Sequence, residues 1–280
     1  MLLSLRTAAL THLPSTLHHC RPSTAALIRK LSRVSHLRSN FRSSPSFIRM
    51  SSSDSNSNPS PNQIVEHIVL FKVKPDADPS AVDAMVKNLN GLISLETVIH
   101  LATGPVSRCR SDSLAFTHML HSRYRSKADL NTYTYHPTHL GVVSNNVKPV
   151  CEDIMAVDWV ADDSSGRAVI SPGSAVRLTV LKVKEGAGES GKSEIVKVLR
   201  GIKEKCASIE QLTVGDNFSP ARAKGFTICS IAVFKGNTEL KEFVADTEAS
   251  NVQNGKVKEF LDGVLVLDYT VTASTQTACL

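Results

Sequence analysis

The chain has 280 residues, 32 basic and 26 acidic, with 41% hydrophobic and 21% charged residues. That composition fits one large or two ordinary soluble domains with a packed core, and no apolar run approaches the roughly 18 residues of a spanning helix, which excludes an integral helical membrane protein. The net charge of +6 points to nucleic acid only until it is divided along the chain: eight basic and no acidic residues lie in 1–53, leaving 24 basic against 26 acidic in the remainder, so the body lacks the electrostatic footprint of nucleic-acid binding.

Residues 1–53 hold Arg6, Arg21, Arg29, Arg33, Arg38, Arg42 and Arg49, one lysine (Lys30) and twelve serines. An Arg- and Ser-rich, acid-free start is the composition of an organellar transit peptide and predicts a leader for chloroplast import; a plain disordered tail is the simpler alternative. Two weaker signals point to the peroxisome. Arg29-Lys30 followed by His36-Leu37 resembles an amino-terminal peroxisomal signal with Lys30 in place of an aliphatic residue, and Ala278-Cys279-Leu280 is a distant variant of Ser-Lys-Leu. Residues 54–61, low-complexity Ser, Asn and Pro, form an expected disordered linker. Cys20, Cys109, Cys151, Cys206, Cys229 and Cys279 show no C-x-x-C pair, so neither a disulfide framework nor a zinc site is expected.

Beyond the linker the chain repeats at an offset of about 110 residues. Leu70-Phe71-Lys72-Val73-Lys74 answers Val180-Leu181-Lys182-Val183-Lys184, Phe116-Thr117 answers Phe226-Thr227, Tyr124 answers Phe234, and Val157-Asp158-Trp159 answers Leu267-Asp268-Tyr269. This sets domains at 62–162 and 174–273, joined by a linker over 163–173. In the first copy, alternation at Val65, His67, Val69, Phe71 and Val73 predicts a strand. Asp78 and Pro79 start a helix whose apolar face carries Val82, Met85, Val86, Leu89, Leu92 and Ile93. Strands are expected around 97–101 and over 114–122. Ser126 with Asp129 signals a short helix, His136-Pro137 opens another, and Met155–Val160 is a last strand. The order is that of an α+β, ferredoxin-like β-α-β-β-α-β unit. Each copy leaves one sheet face bare, and two copies packed sheet to sheet would form an intrachain dimeric α/β barrel.

The strand His67-Ile68-Val69-Leu70-Phe71-Lys72, the element Tyr133-x-x-His136-Pro137-x-His139 and the strand Val157-Asp158-Trp159 resemble the stress-responsive A/B barrel family, over about 200 residues and in its two-domain plant form. The resemblance implies a stress-associated protein. The family includes a polyketide cyclase, olivetolic acid cyclase. There the equivalents of Tyr133 and His139 form a catalytic pair beside a hydrophobic pocket lined by a strand histidine like His67. It also implies a possible Mg²⁺ held by backbone carbonyls where the first helix ends, at Leu89, Leu92, Ile93 and Leu95, although no cofactor is required.

The residues themselves leave three readings open. His67, His100, His118, His121, His136 and His139 all lie in the first copy, and the second copy has no histidine. A neutral imidazole such as His139 can take a proton from a carbon acid while the Tyr133 phenol stabilises the enolate. Alternatively, His136 and Phe71 line a site that only binds a small hydrophobic ligand. In the plainest case His136 caps a helix and His139 holds the corner by bonding a carbonyl. In the second copy Arg177, Phe243, Asp246, Thr247 and Ala249 replace His67, Tyr133, His136, Pro137 and His139, so that half reads as scaffold. The expected function is a stress-response A/B barrel protein acting as a non-catalytic scaffold or small apolar ligand binder, with a cyclase-like enzyme as the alternative. The expected partners are a small hydrophobic ligand and, as an option alongside the intrachain pseudo-dimer, a second copy in a homodimer, with no membrane and no nucleic acid.

Overall fold

The computed structural model describes residues 63–161, 168–249 and 257–272; the leader, the 54–61 linker, the carboxy-terminal tripeptide and part of the 163–173 linker lie outside the described residues. The first repeat runs β1 (Ile64–Val73), α1 (Pro79–Gly91), β2 (His100–Arg110), β3 (His118–Tyr124), α2 (Lys127–Tyr135), α3 (Pro137–Val142) and β4 (Cys151–Ala161). The second runs β5 (Ala175–Val183), α4 (Gly188–Lys205), β6 (Ile209–Asp216), β7 (Ile228–Phe234), α5 (Asn237–Ala249) and β8 (Leu261–Thr270).

Local chemistry starts and stops the helices where the caps are. The Asp78 carboxylate accepts the Ser80 N–H at 2.7 Å, with Pro79 in the first helical position, where its missing N–H costs nothing. The Ser126 hydroxyl accepts the Asp129 N–H at 3.0 Å. Pro137 then divides the next helical stretch. It clashes with helical backbone at the residue before it, so His136 is extended (φ −63°, ψ 132°) and α2 ends as α3 begins. The second repeat has Thr247 there, and the single helix α5 runs through.

Two strands differ from expectation. The sequence places β2 near 97–101, whereas it occupies His100–Arg110. Its polar outer half carries no apolar alternation, and it is extended because β8 of the other repeat pairs with it. β3 begins at His118, after Thr117 has given its N–H and hydroxyl to the Phe71 carbonyl at 2.9 and 3.2 Å.

The eight strands described form one curled antiparallel sheet in the order β4-β1-β3-β2-β8-β5-β7-β6, a half-barrel built from the two ferredoxin-like units. The repeats meet edge to edge at β2–β8, with Val106 opposite Tyr269 and Cys109 opposite Leu267. At the other seam, β4 and β6 are tied by individual bonds. Phe218 N–H donates to the Asp158 carbonyl at 2.9 Å, and the Asn217 side-chain oxygen accepts the Asp158 N–H at 3.0 Å. The approach is so close that a Cβ on Gly215 would lie 2.7 Å from the Val160 carbonyl and 2.8 Å from Trp159, so only glycine fits there.

The concave face holds one apolar cluster drawn from both repeats, including Ile68, Leu70, Met155, Val157 and Trp159 from the first and Val176, Leu178, Ile231, Leu265 and Tyr269 from the second. Burying each large side chain contributes about 1.5–3 kcal/mol, and neither repeat alone can cover this face. The convex face packs on the helices, with Val65, Phe71, Met85, Leu89, Leu120, Tyr124 and Tyr133 in the first repeat.

Candidate functional site

Side chains alternate across β1, so His67 points with Val65 and Phe71 toward the helices while Glu66 points with Ile68 and Leu70 into the half-barrel. Each residue nucleates a polar cluster, one per face.

On the helix side His67 is opposite Asp158 in the β1–β4 register, and its Nδ1 is hydrogen-bonded to the Asp158 carboxylate, both side chains being buried. Tyr124 and Tyr133 lie edge-on to the His67 ring, each with its centroid 6.2 Å away, and 5.2 Å from one another. Tyr133 in turn lies 4.5 Å from the His139 ring. Thus His67, Tyr133 and His139 are brought together. The helix break at Pro137 turns His139 back over α2, where its Nδ1–H donates to the Thr134 carbonyl at 2.9 Å. That bond fixes the tautomer and leaves Nε2 as the acceptor nitrogen.

Burial lowers the His139 pKa, aided by the nearby charges of His67 and Arg222, so the ring is neutral near pH 7. Burial pushes the Tyr133 and Tyr124 phenols well above the usual range, which keeps both protonated. Burial would raise Asp158, but His67, Ser219 and Arg222 hold its pKa below the ordinary value.

The other expected residues lie at its margins. His136 is the α3 cap, its Nδ1 accepting the Thr138 N–H at 3.2 Å. Phe71 is buried further along β1 among the residues that pack on α1. At the end of α1, the Leu89 carbonyl accepts from Leu92 N–H, the Leu92 carbonyl from Leu95 N–H at 3.1 Å, and the Leu95 carbonyl from Val98 N–H at 2.9 Å. A cation bound by these and Ile93 would meet carbonyl oxygens only, a donor set suited in kind to Mg²⁺ but supplying no charge.

Several residues of the cluster carry little signal in the sequence. Asp158 stands in the Val157-Asp158-Trp159 strand motif, where a carboxylate alternating with apolar neighbours is the one sign of a buried role. Tyr124 reads there only as a mark of the repeat. Ser219 and Arg222 come from the second repeat, in the turn after β6. The Ser219 hydroxyl donates to Asp158 Oδ2, and Arg222 donates to the same oxygen at 2.7 Å. Phe218 packs on the convex core of the first repeat, with the Lys127 ammonium 4.4 Å above its ring. The second half therefore contributes side chains to the first half's polar cluster.

The barrel-side cluster has no sequence signal of its own. Glu66 is fully buried and accepts from Arg123 at 2.9–3.1 Å, His121 Nε2–H at 2.7 Å and the Thr213 hydroxyl at 3.2 Å. Burial alone would raise its pKa, but Arg123 and His121 hold it far below the carboxylate range. Arg123 also reaches Gln211 at 3.0 Å, so the cluster ties the two repeats. Nearby, His100 is buried, which lowers its pKa to about 2.

Among the described residues there is no group of three or more His, Cys, Asp or Glu side chains fit to hold a metal ion, and no helix is long and apolar enough to cross a membrane.

Comparison with known proteins matches the Stress responsive A/B Barrel Domain twice, over residues 65–161 and 175–271. A stress-response A/B barrel domain-containing protein of Arabidopsis thaliana is 48% identical over 252 residues, 89% of this chain and 94% of that protein. A second Arabidopsis thaliana protein of the same description is 42% identical over 216 residues, 76% of this chain and 100% of the relative. Among solved structures, a putative monooxygenase from Fusobacterium nucleatum superposes with a TM-score of 0.54 over 75% of this chain and 93% of its own, at 14% identity, a likeness of fold.

Proposed function

The chain belongs to the stress-responsive A/B barrel domain family, as a tandem of two such domains, and from that premise we propose that it binds a small apolar carbonyl compound at the first repeat's His67–Tyr133–His139 cluster. One observation carries this reading: polar and aromatic side chains of β1, β3, α2 and α3 meet there beside Asp158, whereas an arginine–aspartate pair and two phenylalanines stand at the equivalent place in the second repeat. There Arg177 clamps Asp268 through two bonds of 2.7 Å and lies 5.6 Å from the Phe243 ring, and Phe234 lies 5.2 Å from Phe243. The test is calorimetric binding of alkyl aryl ketones to the full chain. Binding that Tyr133→Phe and His139→Ala each weaken supports the proposal, and binding unchanged in both variants sinks it.

A second reading, proton transfer on the bound carbonyl compound, is favoured by how the two imidazoles are held. Asp158 orients His67, and the Thr134 carbonyl orients His139 with Nε2 as acceptor. In that reaction His139 Nε2 takes the proton from the carbon next to the carbonyl. The C–H electron pair moves into the new C=C bond, and the carbonyl oxygen becomes an enolate that accepts a hydrogen bond from the protonated Tyr133. No step passes through a metal. Deuterium exchange at that carbon, measured by NMR, reads the step directly. Loss of exchange in His139→Ala at ligand concentrations that saturate the variant supports chemistry; exchange equal in the saturated parent and variant leaves binding alone.

A further inference from the structure

Where β6 of the second repeat ends at Asp216, its chain turns into the first repeat's site. Asn217 bonds the Asp158 backbone, Phe218 packs on the first repeat's convex apolar cluster, and Ser219 and Arg222 both bond the Asp158 carboxylate. Lys224 adds an outer tie to Asp153 at 2.9 Å. The equivalent segment of the first repeat does something else: it continues as a strand to Arg110 and forms the β2–β8 ladder. The departure therefore gives up ladder bonds at this seam and places side chains over the site.

Arg222 and Lys127 bring two cations to this edge, and the exposed Asp216 begins the turn. Asp158 is buried, and its one negative charge is met by Arg222. Lys127, exposed over Phe218, adds a second cation. His139 is neutral near pH 7, its pKa lowered by burial. The Arg222 side chain is 47% exposed although one of its nitrogens is bonded to Asp158, and it stands close enough to His139 for its charge to lower the imidazole pKa. A guanidinium carries five N–H donors in a planar fork suited to a carboxylate, and here about half of the side chain is open to solvent.

We propose that Arg222 is a specificity residue supplied by the second repeat to the first repeat's site, and that the ligand is an apolar compound bearing an acidic group. This inference rests on the binding reading above. The apolar body lies against Tyr133, Tyr124 and Phe218, and the anionic end meets Arg222, with Lys127 adding long-range attraction. The second repeat has thus exchanged a duplicate site for one arm of a single shared site.

The experiment compares 4-pentylbenzoate with its methyl ester, a pair equal in apolar body and different in charge, by calorimetry on the full chain at about pH 7. The parent should bind the acid at least tenfold more tightly than the ester. Arg222→Gln should remove that preference while leaving ester affinity within about twofold. Arg222→Lys, which keeps the charge and loses the fork, should keep a reduced preference. Raising the salt from about 0.05 to about 0.5 M should shrink the parent's ratio, because exposed charge is screened. Equal binding of acid and ester by the parent, or an unchanged ratio in Arg222→Gln, overturns this inference and leaves the binding reading intact. Failure of both probes to bind overturns this inference, and the alkyl aryl ketone titration decides the binding reading separately. Because Arg222→Gln also removes a latch on Asp158, a loss of ester binding in that variant that Arg222→Lys restores would assign Arg222 to holding the loop and overturn the specificity role.

Discussion

The two repeats place the same four strands around the same half-barrel and use the matching positions differently. In the first, β1 offers Glu66 to the barrel and His67 to the helices. In the second, the same two positions are Val176 and Arg177. The barrel-side partners follow suit, with His121 and Arg123 in the first repeat and Ile231 and Val233 in the second. On the helix side both repeats keep the strand aspartate, Asp158 or Asp268. One is shared among an imidazole, a hydroxyl and the other repeat's guanidinium, while the other is locked by a bidentate arginine of its own repeat. The difference teaches that one fold can satisfy the same positions in two ways, with apolar side chains and a local ion pair in one copy and with buried polar groups in the other, whose desolvation cost is met by partners from both repeats.

The largest expected effect lies in the barrel. Glu66→Val alone removes the carboxylate from a buried guanidinium and should cost about 3–5 kcal/mol in urea unfolding. The triple change Glu66→Val, His121→Ile, Arg123→Val installs the second repeat's set and should recover most of that loss or exceed the parent. A single variant as stable as the triple would show that the pair carries no burden.

Asp158→Asn should destabilise by about 2–3 kcal/mol, because a charged acceptor with several donors is lost. Asp268→Asn, whose carboxylate is held by Arg177, should cost less. The comparison has a pH form as well. The folded pKa of Asp158 lies below the ordinary value of 3.8, so its stabilisation is present above that pH and is lost as pH falls through the folded value. Asp158→Asn should flatten that acid limb in a series of denaturation midpoints.

His100 gives an earlier limb. Folded, it stays neutral with a pKa of about 2; unfolded, it takes up a proton near the ordinary value of 6.5. Below about pH 6.5 the unfolded state binds more protons, so stability falls with pH at up to about 1.4 kcal/mol per pH unit. This amounts to roughly 2 kcal/mol by about pH 5. His100→Gln, which copies Gln211 at the matching place in the second repeat, should reduce this slope between about pH 6.5 and about pH 5 by about one proton's share, the remainder belonging to His118, His121 and His139, whose pKa values burial also lowers. A slope unchanged by the substitution would overturn the assignment to His100.

The smallest expected stability change belongs to His139→Ala. Its ring is half-buried at a helix corner with one backbone bond, so the variant should lose no more than about 1 kcal/mol. If the site transfers protons, the same variant should lose about 10²–10⁴ in exchange rate. A drop of several degrees in the melting temperature with no change in ligand binding would instead make the histidine a structural corner, and the two repeats would then differ at this place in packing alone.

Much of this architecture is legible in the amino-acid sequence, because its signals are local. Alternation on β1 sorts Val65, His67, Val69 and Phe71 onto one face, Asp78-Pro79 and Ser126 mark helix starts, and Pro137 marks the break that brings His139 back toward Tyr133. The offset of about 110 residues between Phe71 and Leu181 announces two copies of one unit, and loss of His67, Tyr133 and His139 from the second announces their inequality. What only the tertiary structure decided depends on pairings between residues far apart in the chain. The partnership of His67 with Asp158 is set by the β1–β4 register across 91 residues. The polar half of β2 is extended because β8 supplies its ladder. The Glu66 cluster forms because the opposite parity of β1 faces Thr213 and Gln211 of the second repeat. Arg222 reaches the first repeat's site because β6 stops short and its following turn crosses the open seam. Cross-strand register and seam geometry come from joining the two repeats into one curled sheet, and no window of neighbouring residues carries that information.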